Sequence, residues 1–210
     1  DGLAPFLCEK FTKEIKNGTL ELVFSDILTW KPNSQVENYK IVANIPYYIT
    51  GEFLRLFLSG DSQPQSMTLL LQKEVAERIV AHDGKESILS ISVKAYGLPK
   101  YVQTVPADAF LPPPKVDSAI LHISNISKAF FHLEAKLPSG AEERFFRLVK
   151  AGFAHKRKLL ASNLKKSYEC PTLVGQALET CAISQNARAE NVPLDKWKCL
   201  FALLGGKDFK

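Results

Sequence analysis

Met67-Thr68-Leu69-Leu70-Leu71 is nearly continuous in apolar side chains, the pattern of a strand buried on both faces of a parallel sheet. That run limits the fold more than any other segment, because such a strand needs neighbours at its edges and helices over its faces. The surrounding sequence predicts both. Phe6, Leu7, Phe11 and Ile15 recur at helical spacing, with Asn17-Gly18 as a stop. Residues 20–24 read as a strand running into Ser25-Asp26, and residues 39–43 as another, closing on Asn44-Ile45-Pro46-Tyr47. A helix is expected from about Thr50 as N-cap, with Phe53, Leu54, Phe57 and Leu58 on one face. Residues 73–80 and 88–95 predict two more helices. Residues 101–105 and 118–123 predict two final strands, separated by a loop over 106–117. Alternation of this kind, with a strand pair at its end, predicts an α/β sheet.

After about Ser127 the pattern turns helical. Ser139 with Glu142 three residues on makes a capping box ahead of Phe145, Phe146, Val149 and Phe153, expected to face inward. Residues 172–181 and 194–204 predict further helices, the last stopped by Gly205-Gly206. The expected division is therefore an α/β domain over 1–127 and a small helical domain over 128–210.

Charge follows the same division. The net charge is +5, yet residues 1–137 carry 14 Lys and Arg against 15 Asp and Glu, whereas residues 138–210 carry 13 against 7. A basic excess confined to one part is the footprint of a polyanion partner. Lys150, Lys156, Arg157, Lys158, Lys165 and Lys166 are expected in or beside one helical stretch that contacts RNA backbone; such a run also fits a plain solvated face. No apolar run approaches the ~20 residues of a membrane helix, and the first residues lack the layout of a signal peptide. Cys8, Cys170, Cys181 and Cys199 contain no C-x-x-C pair, so free thiols in a reducing compartment, the cytoplasm, are expected. His82, His122, His132 and His155 have no ligand spacing, and no metal is expected.

The chemistry is expected at Asn44-Ile45-Pro46-Tyr47, because open α/β sheets place ligands at the carboxyl ends of their strands. An exocyclic amine of adenine is a poor nucleophile, its lone pair being delocalised into the ring. Acceptors aimed at its hydrogens favour the pyramidal nitrogen that a methyl acceptor needs. The Asn44 side-chain oxygen and a backbone carbonyl at Ile45 or Pro46 could be those acceptors, with Pro46 fixing the turn. Tyr47 offers a flat face to a base taken out of its stack. Read alone, the tetrapeptide equally fits a strand-to-helix turn. Asp26, with Ile27 beside it, could receive the amine of a cofactor adenine or could simply be a turn residue. Phe110-Leu111-Pro112-Pro113-Pro114 is expected to be stiff and extended, with Phe110 either opposite Tyr47 or in the core.

Taken together, Asn44–Tyr47, Gln72-Lys73-Glu74-Val75-Ala76-Glu77-Arg78, Phe110–Ser118 and Phe153-Ala154-His155-Lys156-Arg157-Lys158-Leu159-Leu160 with Asn163-Leu164 resemble the ribosomal RNA adenine dimethyltransferases (KsgA/Dim type). The resemblance runs the length of the chain. It implies a Rossmann-like S-adenosylmethionine-dependent domain, a helical C-terminal domain, and dimethylation of adenines in small-subunit rRNA, on naked RNA or an assembling subunit, by a monomer. It assigns Asn44 and Tyr47 to the catalytic motif, Asp26 to the cofactor adenine and Phe110 to the face of the target base. The family's Gly-rich loop and the acidic residue that holds the cofactor ribose have no counterpart in this sequence. A fragment that binds S-adenosylmethionine weakly and is inactive alone is the resulting expectation. Two rival readings are a non-catalytic RNA-binding assembly factor and a large-subunit adenine methyltransferase of the macrolide-resistance type.

Overall fold

The computed structural model describes residues 2–30, 38–131 and 140–207. The chain divides into two units, 1–36 and 37–210. In the first, the helix expected over 6–15 is two short ones, α1 (Ala4–Lys10) and α2 (Thr12–Lys16), neither with a buried residue. The Thr12 hydroxyl donates to the carbonyls of Cys8 and Glu9, both at 2.8 Å, a local alternative that interrupts the helical run. Gly18, at φ +74°, ends the pair as expected. The strand expected over 20–24 does not form: these residues join no ladder, and Val23 and Phe24 are exposed. Among the described residues their β-favouring side chains pair with no strand, and strand preference is expressed only through such pairing.

The second unit opens with β1 (Lys40–Asn44), then α3 (Thr50–Ser59), β2 (Ser66–Gln72), α4 (Lys73–Val80), α5 (Ile88–Lys94), β3 (Leu98–Val105) and β4 (Ser118–Ser124). The strands form one sheet in the order β1-β2-β4-β3. β1 and β2 run parallel, with Ile41 opposite Met67, while β4 is antiparallel to both β2 and β3. β2 therefore differs from the expected strand of a parallel sheet buried on both faces. Met67, Leu69 and Leu71 are wholly buried, whereas Ser66, Thr68, Leu70 and Gln72 are only half-buried. On that second face the Thr68 hydroxyl meets His122 Nδ1 at 2.9 Å. The amphipathic face of α3 is as expected, with Phe53, Leu54, Phe57 and Leu58 buried. Its cap is not: a 3-10 turn (Tyr47–Ile49) leads into the helix, and Thr50 lies inside it, donating to the Tyr47 carbonyl at 3.1 Å. α5 has a capping box that the sequence reading overlooked, Ser87 accepting from the Ser90 N–H at 3.1 Å while the Ser90 hydroxyl accepts from the Ser87 N–H at 2.7 Å.

Four helices complete the unit: α6 (Ala141–Gly152), α7 (Leu160–Ser167), α8 (Pro171–Thr180) and α9 (Leu194–Leu204). The expected cap Ser139 and the fourth histidine, His132, lie outside the described residues. Of the face expected to point inward, Phe145 and Val149 are buried and Phe146 and Phe153 half-buried, with Leu148 completing the stripe. The helical core is Phe145, Leu148, Leu160, Leu164, Leu178, Trp197 and Leu200, all without exposed surface. Each large apolar side chain so buried contributes about 1.5–3 kcal/mol. The helices pack on the sheet part through α5 and α6, where the rings of Tyr96, Phe131 and Phe146 meet and Tyr96 donates to Glu142 at 2.5 Å. The expected division at 127/128 falls inside this second unit.

Cys181, just past α8, and Cys199, in α9, form a disulfide with Cα atoms 5.7 Å apart. The expectation of free thiols holds only for the exposed Cys8 and Cys170. Packing of α8 on α9 joins two positions 18 residues apart, which spacing along the chain does not reveal. The free-thiol argument for a reducing compartment is thereby removed. Among the described residues, no helix is long and apolar enough to cross a membrane.

Candidate functional site

The parallel pairing of β1 with β2 puts Asn44 opposite Leu70, so the Asn-Ile-Pro-Tyr segment leaves the sheet at the carboxyl end of both strands. Because β4 is antiparallel to β2, the start of β4 lies at that same end, with Ser118 opposite Gln72 and also opposite Val105 at the exit of β3. The loop over 106–117, which carries Phe110, is strung between those last two points. Topology thus brings Asn44, Pro46, Tyr47 and the Phe110 loop to one end of one sheet.

Ile45 is buried and anchors the turn, its N–H reaching the Leu70 carbonyl at 3.4 Å. Pro46 holds φ −56° and ψ 134°, and its carbonyl accepts from the Ile49 N–H at 3.1 Å, closing the 3-10 turn. Asn44 is exposed at the strand end, and its side-chain amide has no hydrogen-bond partner among the described residues. The alternative in which Asn44 caps the turn is therefore not what forms. Tyr47 is half-buried, its hydroxyl 2.8 Å from the Ser118 hydroxyl. Phe110 is half-buried and makes no ring contact with Tyr47. A 3-10 turn over Ala107–Ala109 leads into Phe110, whose own backbone is extended at φ −116° and ψ 151°, and the Leu111–Pro112 peptide is cis. The sequence reading gave no role to Ser118, Asp117 or the 88%-exposed Tyr48. The signals for the first two were their place in the Phe110–Ser118 segment and their polarity at the mouth of a buried strand.

In the first unit, Asp26 forms the turn that its residue type suggested, with Oδ1 accepting from the Leu28 N–H at 2.9 Å. Its other carboxylate oxygen has no partner among the described residues, and the neighbouring Ile27 is half-buried. A free carboxylate oxygen beside an aliphatic side chain suits an adenine amine and ring, and the unpartnered Asn44 amide suits a second amine. Taken within its own unit, the Asp26–Ile27 pair thus has the chemistry to receive the adenine of S-adenosylmethionine. Among the described residues, no group of His, Cys, Asp and Glu could hold a metal ion.

The basic residues are all exposed but do not share one helical stretch. Lys150 lies in the last turn of α6, and Lys165 and Lys166 in the last turn of α7, where cations complement the helix dipole. Lys156, Arg157 and Lys158 lie in the connection between the two helices, because α6 stops at Gly152. Lys166, by a side-chain hydrogen bond and by repulsion, holds the Lys158 ammonium below the usual lysine range. Two lysine side chains brought this near would gain from an anion placed between them.

The chain matches the sequence profile of the family described as ribosomal RNA adenine dimethylase over residues 1–205. It is 39% identical over 204 residues to ribosomal RNA small subunit methyltransferase A of Dehalococcoides mccartyi, covering 95% of this chain and 67% of the relative. It is 37% identical over 215 residues to the protein of the same name from a Nostoc species, covering 95% and 76%. Among solved structures it superposes on 23S rRNA methyltransferase ErmE with a TM-score of 0.74 at 27% identity, covering 96% of this chain and 78% of that one. The α/β, Rossmann-like fold is that of S-adenosylmethionine-dependent methyltransferases, and the chain belongs to the ribosomal RNA adenine dimethylase family.

Proposed function

We propose that this chain dimethylates adenines of small-subunit rRNA, with Asn44, Pro46, Tyr47 and Phe110 forming the place where the target base is held. The observation that carries the reading is the exposed, unpartnered Asn44 amide beside a fixed aromatic ring at the carboxyl end of β1. S-Adenosylmethionine supplies the electrophilic methyl group, with Asp26 and Ile27 receiving its adenine. Asn44 accepts from one hydrogen of the target amine and directs the lone pair away from the ring. The Pro46 carbonyl is engaged by Ile49, which leaves the Ile45 carbonyl as the better second acceptor. Tyr47 stacks on one face of the flipped base and Phe110 on the other, each such contact being worth about 1–3 kcal/mol. Each transfer forms one N–C bond as the S–CH3 bond of the sulfonium breaks, leaving S-adenosylhomocysteine and releasing one amine proton to solvent, and the product of the first presents a remaining N–H for the second.

Lys150, Lys156, Arg157, Lys158 and Lys165 contact RNA phosphates, supported by their exposure and by the crowding at Lys158. Residues 1–127 and 128–210 act as a catalytic and an RNA-gripping part of a monomer. Relatives named for the small subunit, at 37–39% identity, favour that target over the large subunit, whose solved representative is 27% identical. Tritiated methyl transfer to unmethylated small ribosomal subunits tests the reading, using the chain as it stands and extended by the segment that precedes the match in a relative. Transfer lost on Asn44→Ala, with subunit binding kept, is the expected result. Subunit binding without transfer in either version would leave the assembly-factor reading instead.

A further inference from the structure

Ser118 is wholly buried, yet its hydroxyl lies 2.8 Å from that of Tyr47, a residue 71 positions earlier. It is also one of the most firmly held positions in the sheet, being paired with Gln72 on one side and Val105 on the other. The residue before it has a matching set of ties. Asp117 Oδ1 accepts from the N–H of Ala107 at 3.1 Å, at the start of the turn that delivers Phe110. The Asp117 carbonyl accepts from the N–H of Lys73 at 3.0 Å, at the junction of β2 and α4. Two consecutive residues therefore fasten the exits of β1, β2 and β3 to the entrance of β4.

We propose that Asp117 and Ser118 are positioning residues for the target base: Ser118 fixes the Tyr47 ring, Asp117 fixes the turn leading to Phe110, and together they set the gap between the two aromatics. The proposal rests on the reading that Tyr47 and Phe110 hold the adenine. A half-buried ring without its hydroxyl tether can rotate about its side-chain torsions, and a base pocket loses rate when its walls move by an ångström. Burial makes the tether firm, because a Ser118 hydroxyl hidden from water has no solvent partner competing for it. Neither residue touches the reacting atoms, so each acts only through the aromatic that it holds.

The test uses an RNA oligonucleotide with 2-aminopurine at the target position, whose fluorescence reports capture of the base, alongside single-turnover methyl transfer to unmodified RNA. Ser118→Ala is expected to slow transfer roughly 3–10-fold, the effect of one neutral hydrogen bond, with RNA affinity from filter binding unchanged. In a Tyr47→Phe background the same substitution is expected to change nothing, since the hydroxyl it serves is already gone. Asp117→Ala should slow both capture and transfer, and Asp117→Asn, which keeps an acceptor for Ala107, should restore them. Equal losses from Ser118→Ala in both backgrounds, or Asp117→Asn as slow as Asp117→Ala, would show a merely structural role and overturn the proposal. Absence of base capture in the unsubstituted protein would overturn it together with the reading beneath it.

Discussion

Gly152 and Gly175 both lie within helices, and the same substitution at each should move stability in opposite directions. In a helix interior, Gly→Ala removes chain entropy from the unfolded state and stabilises by about 0.5–1 kcal/mol where space allows. Around Gly175 in α8 nothing lies within 4 Å of the added Cβ, so that gain should appear in full. At Gly152, the end of α6, the Cβ would lie 2.4 Å from Trp197 Cη2 and 2.8 Å from Leu160 Cδ1. Both neighbours are fully buried, and the indole is stacked on Phe153 with centroids 5.7 Å apart, so it cannot swing aside. Relief requires a shift of about 1 Å in a packed core, for which overpacking costs run to about 3 kcal/mol. Set against the helix gain, Gly152→Ala should lose about 2 kcal/mol. Such a loss corresponds to roughly 4–8 °C in Tm for a chain of this size. Urea unfolding followed by tryptophan fluorescence and far-ultraviolet circular dichroism measures both variants. A Gly152→Ala protein more stable than the parent would refute the packing argument, and a destabilised Gly175→Ala would refute the helix-entropy one.

Replacing Lys156, Arg157 and Lys158 together by Ala should reduce the slope of log affinity for RNA against log salt by about 2–3, reflecting lost phosphate contacts. Titration of RNA binding at several salt concentrations reads this, and an unchanged slope would identify the run as a solvated face. Reducing the Cys181–Cys199 bond, or substituting both by Ser, should lower stability by about 3 kcal/mol, the loop entropy of an 18-residue link. Urea midpoints with and without reductant measure the difference, and coincident midpoints would count against it.

Much of this architecture was legible because burial imposes a period. Phe53, Leu54, Phe57 and Leu58 mark α3 by their spacing, whereas β2 was marked by its continuous apolar run, and the burial of Met67, Leu69 and Leu71 on one face alone emerged only from the sheet. Pairing direction was less legible: an apolar strand reads alike whether its neighbour runs parallel or antiparallel, and the reversal of β4 is settled only by the whole sheet. Residues 20–24 have the composition of a strand but not its neighbour, and composition alone did not suffice. The Asn44–Tyr47 segment was visible because its chemistry is local, packed into four consecutive residues. Ser118 was not, because its significance lies in a contact across the sheet. The disulfide escaped for the same reason, as helix packing rather than spacing brings Cys181 to Cys199.

The link between Tyr47 and Ser118 also has a consequence in time. With 71 positions from one to the other, a ribosome adding about 5–20 residues per second delivers the second partner roughly 4–14 s after the first. Late in that interval the nascent chain has β1, β2 and the whole Asn-Ile-Pro-Tyr segment, but the far edge of β2 lacks β4 and the tyrosine lacks its tether. The motif is thus translated early, and its tyrosine gains the Ser118 partner only once β4 has followed.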